Sequence, residues 1–413
     1  MTATRTAGKT RLGPDFRRLW TANAVSNLGD GVTLVAGPLL VASISTEPAA
    51  VAAAALAPQL PWLLFSLVSG ALVDRLDRRK LVVTVNLARG AVLGALALAV
   101  VTGTATVPLI CLAFFLTGLG ETLADTASGA LLPSVVPAEQ LERANSRLFA
   151  AFVVGNQFAA KPLGAYLFTV GVAVPFAVDA GSFGLAALLV ALLRWRPVPA
   201  ADPAAPRPGG GRLRSLGADV AAGLRALWSV PTLRVLAICI AVMNVAFCAA
   251  FAAFVLYARQ RLGLGDVGYG VLLTASAVGG LAGTVLATRL RARFGTPTLL
   301  RAGLLIEVGL QLVLATTRQP GVAGAALVIW GGHAMVWGVL VVSLRQRLVP
   351  DPLRGRVGSA YALADLGGAA VGTALGGLLA QATGVLTAPF WAAAAALTAL
   401  TVAAWRPLGR TDG

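Results

Sequence analysis

The chain has 413 residues, of which 57% are hydrophobic and only 12% are charged, and its net charge is +16. A soluble protein of this length carries roughly 25% charged residues, so the composition excludes a single water-soluble globular fold. It fits a chain that lies mostly in hydrocarbon, where a helix needs about 20 mainly apolar residues to cross. The basic residues flank the apolar segments, so we assign them to the membrane surface rather than to nucleic acid.

Apolar blocks separated by turns or charges predict an all-α membrane protein with twelve transmembrane helices. The predicted spans are 17–44, 50–73, 81–102, 107–132, 146–170 and 174–193, followed by 233–257, 266–288, 298–316, 321–343, 358–382 and 386–405. The first block is too long for a signal-peptide core, so we expect it to remain as the first helix.

The twelve spans divide into two groups of six. We expect an N-terminal six-helix bundle over 1–193 and a C-terminal six-helix bundle over 232–413, in a pseudo-twofold arrangement. The polar segment 194–231 is rich in Pro and Gly, which predicts a cytoplasmic linker. Within it, residues 213–228 are predicted to form an amphipathic helix.

The positions of Lys and Arg predict the orientation of the chain, because cytoplasmic loops carry an excess of these residues. With the N-terminus inside, the outer loops hold only Arg259, Arg261 and Arg318, and all other basic clusters fall inside. We therefore expect a multi-pass protein of the bacterial inner membrane with both termini in the cytoplasm.

The two halves share a repeated pattern. Asp74-Arg75 and Thr288-Arg289 are 214 residues apart, and each pair follows the second span of its half. Pro137 and Pro350 are 213 apart, and Gly164 and Gly376 are 212 apart. This near-constant offset indicates an internal duplication, which places a binding site at the interface of the halves.

Ionisable residues within the spans are candidates for function, because a charge in hydrocarbon is costly. They are Asp30, Arg89, Glu121, Asp125, Lys161, Asp179, Glu307, His333 and Asp365. Asp30 lies near the middle of the first span, where a carboxyl group that alternates between dry and wet surroundings can take up and release a proton. The alternative is that Asp30 pairs with a cation or caps the backbone around its neighbouring glycines.

Glu121 and Asp125 are four residues apart and share one helix face. They are proton-coupling candidates together with Asp30, and Glu121 is the deeper of the two. Lys161 on the next span could neutralise them in a buried salt-bridge cluster, and Asp125 could instead pair with Arg75 or Arg78 at the cytoplasmic end. Arg89 is also a buried ion-pair candidate.

Aromatic and amide side chains predict a wall of the substrate cavity. Trp330, His333 and Trp337 lie close to one face of the tenth span, and a broad, weakly polar surface of this kind suits a bulky amphipathic molecule. Ordinary helix packing explains the same pattern equally well. The remaining cavity candidates are Asn27, Asn244 and Phe251.

No residue pattern predicts a metal site, a cofactor or an enzyme. Cys111, Cys239 and Cys248 have no ligand spacing, and His333 is the single histidine. No glycine-rich segment ends in the Lys-Ser/Thr pair of a nucleotide-binding loop, and no nucleophile–base–orienter set is present. The expected partners are a small-molecule substrate, protons and the lipid bilayer, without nucleic acid, and we expect a monomer.

The loop after the second predicted span resembles the signature loop of the major facilitator superfamily. The matching residues are Gly70, Asp74, Arg75, Arg78 and Arg79, and the second half carries a degenerate copy over 284–293. In this resemblance Gly70 permits tight packing and the charged residues fix the gate at the cytoplasmic side. In the degenerate copy Thr288 replaces the acidic residue.

Further segments resemble the enterobactin-exporter and macrolide-efflux subgroup of that superfamily. They are 16–20, 26–31, 132–145 and 175–179. Lys161 stands where antiporters of the superfamily often carry glycine. The resemblance implies a proton-coupled exporter of bulky lipophilic molecules, such as a drug, an antibiotic-like metabolite or a siderophore, that works by alternating access. The alternatives are an importer or facilitator of a small polar solute, or a membrane sensor or scaffold that transports nothing.

Overall fold

A computed structural model of the chain describes residues 12–73, 76–194, 223–350 and 353–409, and every regular element in these ranges is helical. In chain order the longer helices are α1 (Pro14–Ile44), α2 (Pro48–Leu56), α3 (Leu60–Val73), α4 (Arg78–Val101), α5 (Val107–Val135), α6 (Leu141–Phe152), α7 (Ala160–Val170), α8 (Val174–Ala191), α9 (Pro231–Phe251), α10 (Phe254–Gln260), α11 (Asp266–Phe294), α12 (Thr296–Thr316), α13 (Pro320–Leu348), α14 (Arg354–Thr383) and α15 (Ala388–Leu408).

Ten helices in the described part of the chain are long and apolar enough to cross a membrane. Ten of the twelve predicted spans correspond to them, with ends that differ by several residues. The predicted continuous helices over 50–73, 146–170 and 233–257 are wrong in detail, because a turn over 57–59 breaks the first, a π-helix lies within the second and a turn over 252–253 breaks the third. The predicted amphipathic helix over 213–228 lies partly outside the described residues, which show a helical segment over 223–229.

The interruptions of the second and fifth predicted spans differ in kind. Between α2 and α3 a turn over 57–59 contains Pro58, which has no N–H to continue the hydrogen-bond ladder. The Pro58 carbonyl lies against Gly118 of α5, where a β-carbon would collide with it. Between α6 and α7 the backbone widens into a π-helix over Val153–Ala159, a feature that is frequent at functional sites.

Helix packing is repeated in the two halves of the chain. In the first half α1 packs on α7 and α8, α4 packs on α5 and α8, and α3 packs on α5. The equivalent pairs in the second half are α9 with α14 and α15, α12 with α13 and α15, and α11 with α13. The pairing therefore follows the internal sequence repeat.

Close contact between α11 and α13 depends on glycine. A β-carbon on Gly279 would overlap the carbonyl of Val328, and one on Gly283 would overlap the backbone of Gly332. Small residues at such crossings let helix backbones approach, which is the main source of packing energy between helices in lipid.

Among the described residues, the main contacts between the two halves lie towards one end of the molecule. α2 contacts α14, and α7 contacts α11. One hydrophobic cluster contains residues of both halves, such as Leu39, Phe176, Tyr257 and Leu314. Two other clusters each belong to one half, around Phe16 and Leu131 in the first and around Trp337 and Leu397 in the second. We call the end with the shared cluster the joined end, and it holds the C-terminus of α1. We call the opposite end, where the two other clusters lie, the split end, and it holds the N-terminus of α1.

Candidate functional site

Arg89 of α4 is the centre of a buried charged cluster in the first half. Its side chain is only 4% exposed, and Nη2 lies 2.6 Å from Oδ1 of Asp30 on α1. The same nitrogen lies 3.9 Å from Oε2 of Glu121 on α5. The guanidinium carbon is 4.0 Å from the centroid of the Phe183 ring on α8, within the range of a cation–π contact. Four helices therefore surround one cation.

Gly120 of α5 makes room for this arrangement. A β-carbon at this position would lie 2.6 Å from Cγ and 2.8 Å from Cδ of Arg89, so a larger residue would push the arginine stem away. The carboxylate-bearing Glu121 is the next residue on the same helix. The sequence Gly120-Glu121 thus supplies both the space for the cation and one of its counter-charges.

Asp179 of α8 is a further carboxyl group that lines the cavity with Arg89 and Asp30, and it is 1% exposed. Its two carboxyl oxygens accept hydrogen bonds from different helices, at 2.5 Å from Thr33 Oγ1 on α1 and at 3.0 Å from Ser182 Oγ on α8. These donors partly replace the water that a buried carboxyl group loses. Gly29 of α1 packs directly on Asp179, and this contact explains the glycine beside Asp30.

A cavity of about 290 Å³ adjoins the cluster. Asp30, Glu121, Asp179, Arg89 and Thr33 line it together with residues of α1, α2, α4, α5 and α6, of the turn at Pro58 and of the π-helix. The Glu121 side chain is 36% exposed, and Asp125, one turn towards the split end, is exposed. The carboxyl groups therefore range from fully buried to open to solvent within one site.

The π-helix over 153–159 forms part of the cavity wall. Asn156 donates a hydrogen bond of 3.0 Å from Nδ2 to the carbonyl of Asn27 on α1 and accepts one of 3.1 Å from Gln157. The Asn27 side chain is turned along its own helix, where it donates to the Asn23 carbonyl at 2.7 Å. Asn27 thus takes part in the site through its backbone, next to the carboxyl cluster.

Aromatic rings of the second half form a stacked series. Trp330 of α13 stacks on Phe247 of α9 with centroids 4.1 Å apart and planes inclined by 4°. Phe247 stacks on Phe251 at 4.2 Å, and Phe251 stacks on Phe254 of α10 at 4.2 Å. These rings are half-buried except for Phe254, which is buried, so they offer an apolar wall.

The other predicted cavity residues of the second half, Asn244, His333 and Trp337, make contacts within that half. Asn244 of α9 donates a short hydrogen bond to Asp365 of α14. His333 and Trp337 of α13 are buried, at 7% and 3% exposure, with their rings in an edge contact. His333 faces Gly303 and Glu307 of α12.

The residues predicted for the inner gate lie in part outside the described residues. Gly70 falls within α3, whereas Asp74 and Arg75 lie outside the described part of the chain. Arg78 donates to the Ala130 carbonyl of α5 at 3.2 Å, and Arg79 donates a short bond to the Ala191 carbonyl of α8. Both arginines therefore bind the C-terminal carbonyls of neighbouring helices, the favourable end of the helix dipole for a cation.

Lys161 of α7 lies apart from the carboxyl cluster. Among the described residues no carboxylate lies within 4.0 Å of its ammonium group. Its backbone carbonyl faces Gly270 of α11, at a contact between the two halves. The predicted pairing with Glu121 or Asp125 is not formed in this structure.

Thr33 and Asn156 line the cavity but were not among the predicted residues, whereas Asp179 was predicted as an ionisable candidate without an assigned role. Ser182 lies three residues after Asp179, which is the spacing of a partner on one helix face. Thr33 and Asn156 carry no such signal, because neutral polar side chains also satisfy their own helix backbone.

Membrane-length apolar helices around a buried ionic cavity fit a membrane transporter. The sequence profile described as transmembrane secretion effector matches residues 13–412. The chain belongs to this family of major facilitator superfamily transporters.

Two curated relatives illustrate the similarity. The multidrug efflux pump Tap of Mycolicibacterium fortuitum is 28% identical over 387 residues, which cover 91% of each chain. An uncharacterised transporter of the major facilitator type from Mycobacterium tuberculosis is 37% identical over 144 residues, which cover 34% of this chain and 32% of that protein. The match to that relative therefore spans about a third of its length.

Solved structures share the fold at low identity. A bacterial homologue of the iron transporter ferroportin in its inward-facing state superposes with a TM-score of 0.75 at 18% identity, covering 97% of this chain and 100% of that chain. A nucleoside transporter superposes with a TM-score of 0.74 at 11% identity, covering 96% and 100%. The outward-facing state of the ferroportin homologue gives 0.58 at 20% identity, with the same coverage of 96% and 100%.

Proposed function

We propose that this protein is a proton-coupled exporter of bulky lipophilic small molecules, such as drugs, antibiotic-like metabolites or siderophores, and that it works by alternating access. Membership of the transmembrane secretion effector family and similarity to an efflux pump support the direction of transport. The excess of carboxyl groups around Arg89 supports the coupling to protons.

The proposed topology has twelve crossings in two six-helix bundles. The ten long helices account for ten crossings, and the interrupted pairs α2–α3 and α6–α7 account for the other two. The repeated helix pairs support one bundle over 1–193 and a second over 232–413, joined by the linker over 194–231. The distribution of Lys and Arg supports cytoplasmic termini in a bacterial inner membrane.

The described state is proposed to face inward. α1 begins at the split end, so a cytoplasmic N-terminus places the split end in the cytoplasm and the joined end outside. The halves then close the outer side and leave the inner side open. The higher TM-score with the inward-facing than with the outward-facing state of the ferroportin homologue supports this orientation.

The observation that carries the proposal is the balance of charge in the cavity. One guanidinium group, Arg89, faces the carboxyl groups of Asp30, Glu121 and Asp179 along the same cavity wall. Uncompensated buried charges are costly, so this site retains protons or a cationic ligand to balance its excess of acids. A site of this kind can exchange protons for substrate when it opens from one side to the other.

Exchange requires that the substrate and the protons bind the inward-facing and outward-facing states unequally. A lipophilic substrate would lie between the carboxyl cavity and the aromatic series of Trp330, Phe247 and Phe251. Its arrival displaces protons from the carboxyl groups, and its release to the outside lets them return. The protein is proposed to carry out this cycle as a monomer.

The test uses the full chain in proteoliposomes with an imposed pH gradient and a fluorescent lipophilic dye as the transported probe. Dye movement and proton movement are recorded together. We expect gradient-driven dye transport and dye-dependent proton release. Both Asp30→Asn and Glu121→Gln are expected to reduce proton release, because each removes an ionisable group from the cavity.

Asp15→Asn is the matched control, since Asp15 is a carboxylate at the start of α1 that pairs with Arg18 at 2.8 Å, away from the cavity. It should leave both signals unchanged. Dye movement that ignores the gradient in the unmodified protein would refute proton coupling and favour a facilitator. Retention of full proton release in both cavity variants would remove these carboxyl groups from the coupling mechanism.

A further inference from the structure

Glu307 of α12 and His333 of α13 form a second buried ionisable pair, in the opposite half from Arg89. Nε2 of His333 lies 3.4 Å from Oε1 of Glu307, and both side chains are at most 4% exposed. Gly303, one turn before Glu307, makes room for the imidazole, because a β-carbon there would collide with it. The pair belongs neither to the Arg89 cluster nor to its cavity.

Several polar atoms in this region lack partners. Oε2 of Glu307 and Nε2 of His333 are buried without a hydrogen bond to any described residue. Both amide atoms of Gln311 are in the same condition, one turn further along the face of α12 that carries Glu307. Buried polar groups are rarely left unsatisfied, so these atoms indicate capacity for a proton or a water molecule.

The chemistry of the pair favours a proton. One proton shared by a carboxyl group and an imidazole leaves the pair with no net charge, whether the proton lies on oxygen or on nitrogen. A second proton makes the pair cationic, and loss of the shared proton makes it anionic. The pair can therefore hold a proton on either the carboxyl oxygen or the imidazole nitrogen.

Few other ionisable groups on the surrounding helices lie at this depth. Those within α9 and α14 are Cys239, Cys248, Tyr361 and Asp365, and Asp365 already accepts a hydrogen bond from Asn244, while Arg345 lies in the last turn of α13. The ionisable residues of α11, α12 and α15 lie near their ends and are Asp266, Tyr269, Arg289, Arg291, Arg293, Arg301 and Arg406. Glu307 is thus the acid that faces His333 at ion-pair distance among the described residues.

Glu307 is connected to the aromatic wall by one hydrogen bond. The indole Nε1 of Trp330 donates to Oε1 of Glu307 at 2.9 Å, which is the same oxygen that lies nearest His333. Trp330 in turn stacks on Phe247. A change in the charge of this oxygen changes the strength of the indole hydrogen bond, because charged acceptors bind about twice as strongly as neutral ones.

We propose that Glu307 and His333 form a second proton-binding site, and that the proton they hold positions Trp330 in the aromatic wall. Glu307 is a positioning residue in this scheme, since it acts on the wall through the indole. The role in transport rests on the proposed export function, whereas proton binding by the pair does not.

The single histidine makes this site directly observable. The full chain, labelled with ¹⁵N at histidine and at the tryptophan indole, is titrated by NMR in lipid nanodiscs. The His333 signal needs no assignment, because the chain has one histidine, and loss of one of its eight tryptophan signals in Trp330→Phe assigns that indole. We expect both signals to move with pH and to share one midpoint.

In Glu307→Gln we expect the His333 midpoint to move to lower pH, because the neighbouring acid that stabilises the charged imidazole is gone. The Trp330 signal should then cease to follow pH. Asp365→Asn is the matched control, as a carboxyl group of the same half on a different helix, and it should leave the His333 midpoint in place. His333→Gln provides a second route, since it should also abolish the pH response of Trp330.

A His333 midpoint that is equal in Glu307→Gln and in the unmodified protein would overturn the shared site. A Trp330 signal that does not move while His333 titrates would overturn the positioning role. Absence of dye-dependent proton release from proteoliposomes, together with a His333 titration that depends on Glu307, would refute the export mechanism and still support the proton site.

Discussion

The guanidinium of Arg89 donates to the carboxylate of Asp30 at 2.6 Å, although the two residues lie 59 positions apart and on different helices. The arginine side chain is 4% exposed, whereas those of Asp30 and Glu121 are 17% and 36% exposed. We therefore propose a structural role for Arg89, and we propose that Asp30 and Glu121 are the groups that meet incoming ligands.

Removal of both members of this pair should cost less than the two single removals added together. Breaking a buried ion pair on one side leaves an uncompensated charge and costs about 3–5 kcal/mol. We expect Arg89→Gln to lower the free energy of unfolding by this amount, and Arg89→Gln with Asp30→Asn to lower it by less than the sum of the two single changes. Thermal and denaturant unfolding in detergent, arranged as a double-mutant cycle, measure the difference.

Arg293→Gln is the control for this cycle, because Arg293 is exposed in the last turn of α11. It should leave the free energy of unfolding nearly unchanged. Strictly additive effects of the Arg89 and Asp30 substitutions would show that the 2.6 Å contact does not couple their energies.

The hydroxyl of Thr33 should stabilise the first half through Asp179. Thr33→Val keeps the shape of the side chain but removes the donor to the buried carboxyl group, a loss of about 1–3 kcal/mol. Thr33→Ser keeps the hydroxyl and should retain most of the stability. The measurement is the free energy of unfolding of the three proteins at one pH. Equal stability of the Val and Ser variants would mean that the hydrogen bond contributes nothing.

The sequence was sufficient to predict an all-helical membrane protein and the positions of most spans, because hydrophobicity over about 20 residues is a property of composition alone. It did not predict the interruptions at Pro58 or over Val153–Ala159. Pro58 is a local signal for a break, whereas the π-helix, which packs against α1, has no such signal in the sequence.

The candidate site was predictable residue by residue but not as an arrangement. Asp30, Arg89 and Glu121 stood out as charges within apolar spans. Their partners did not, because helix adjacency decides whether a carboxyl group meets Arg89 or Lys161. The two cations look equivalent in sequence, yet Arg89 binds Asp30, whereas Lys161 lies at the contact between the halves.

The crossing of α11 and α13 should tolerate no side chain at Gly279. Alanine favours a helix over glycine by about 1 kcal/mol, so Gly309→Ala, where a β-carbon meets open space, should be neutral or stabilising. Gly279→Ala should be destabilising despite the same propensity, because its β-carbon collides with the Val328 carbonyl. Thermal unfolding midpoints compare the two variants directly. A higher midpoint for Gly279→Ala would contradict the tight crossing.

We expect the contact between α7 of the first half and α11 of the second half to open during transport. A β-carbon on Gly270 would lie 2.6 Å from that of Ala165, so cysteines at both positions need only a small separation to reach disulfide geometry. In a chain whose Cys111, Cys239 and Cys248 are replaced by alanine, we expect Ala165→Cys with Gly270→Cys to form a disulfide under mild oxidation. The bond would hold the joined end closed, so dye transport into or out of proteoliposomes should stop and should return on reduction.

The two single-cysteine variants serve as controls, and both should transport under the same oxidant. Continued transport by the fully cross-linked protein would show that this contact stays closed throughout the cycle, which is incompatible with alternation between a closed and an open joined end.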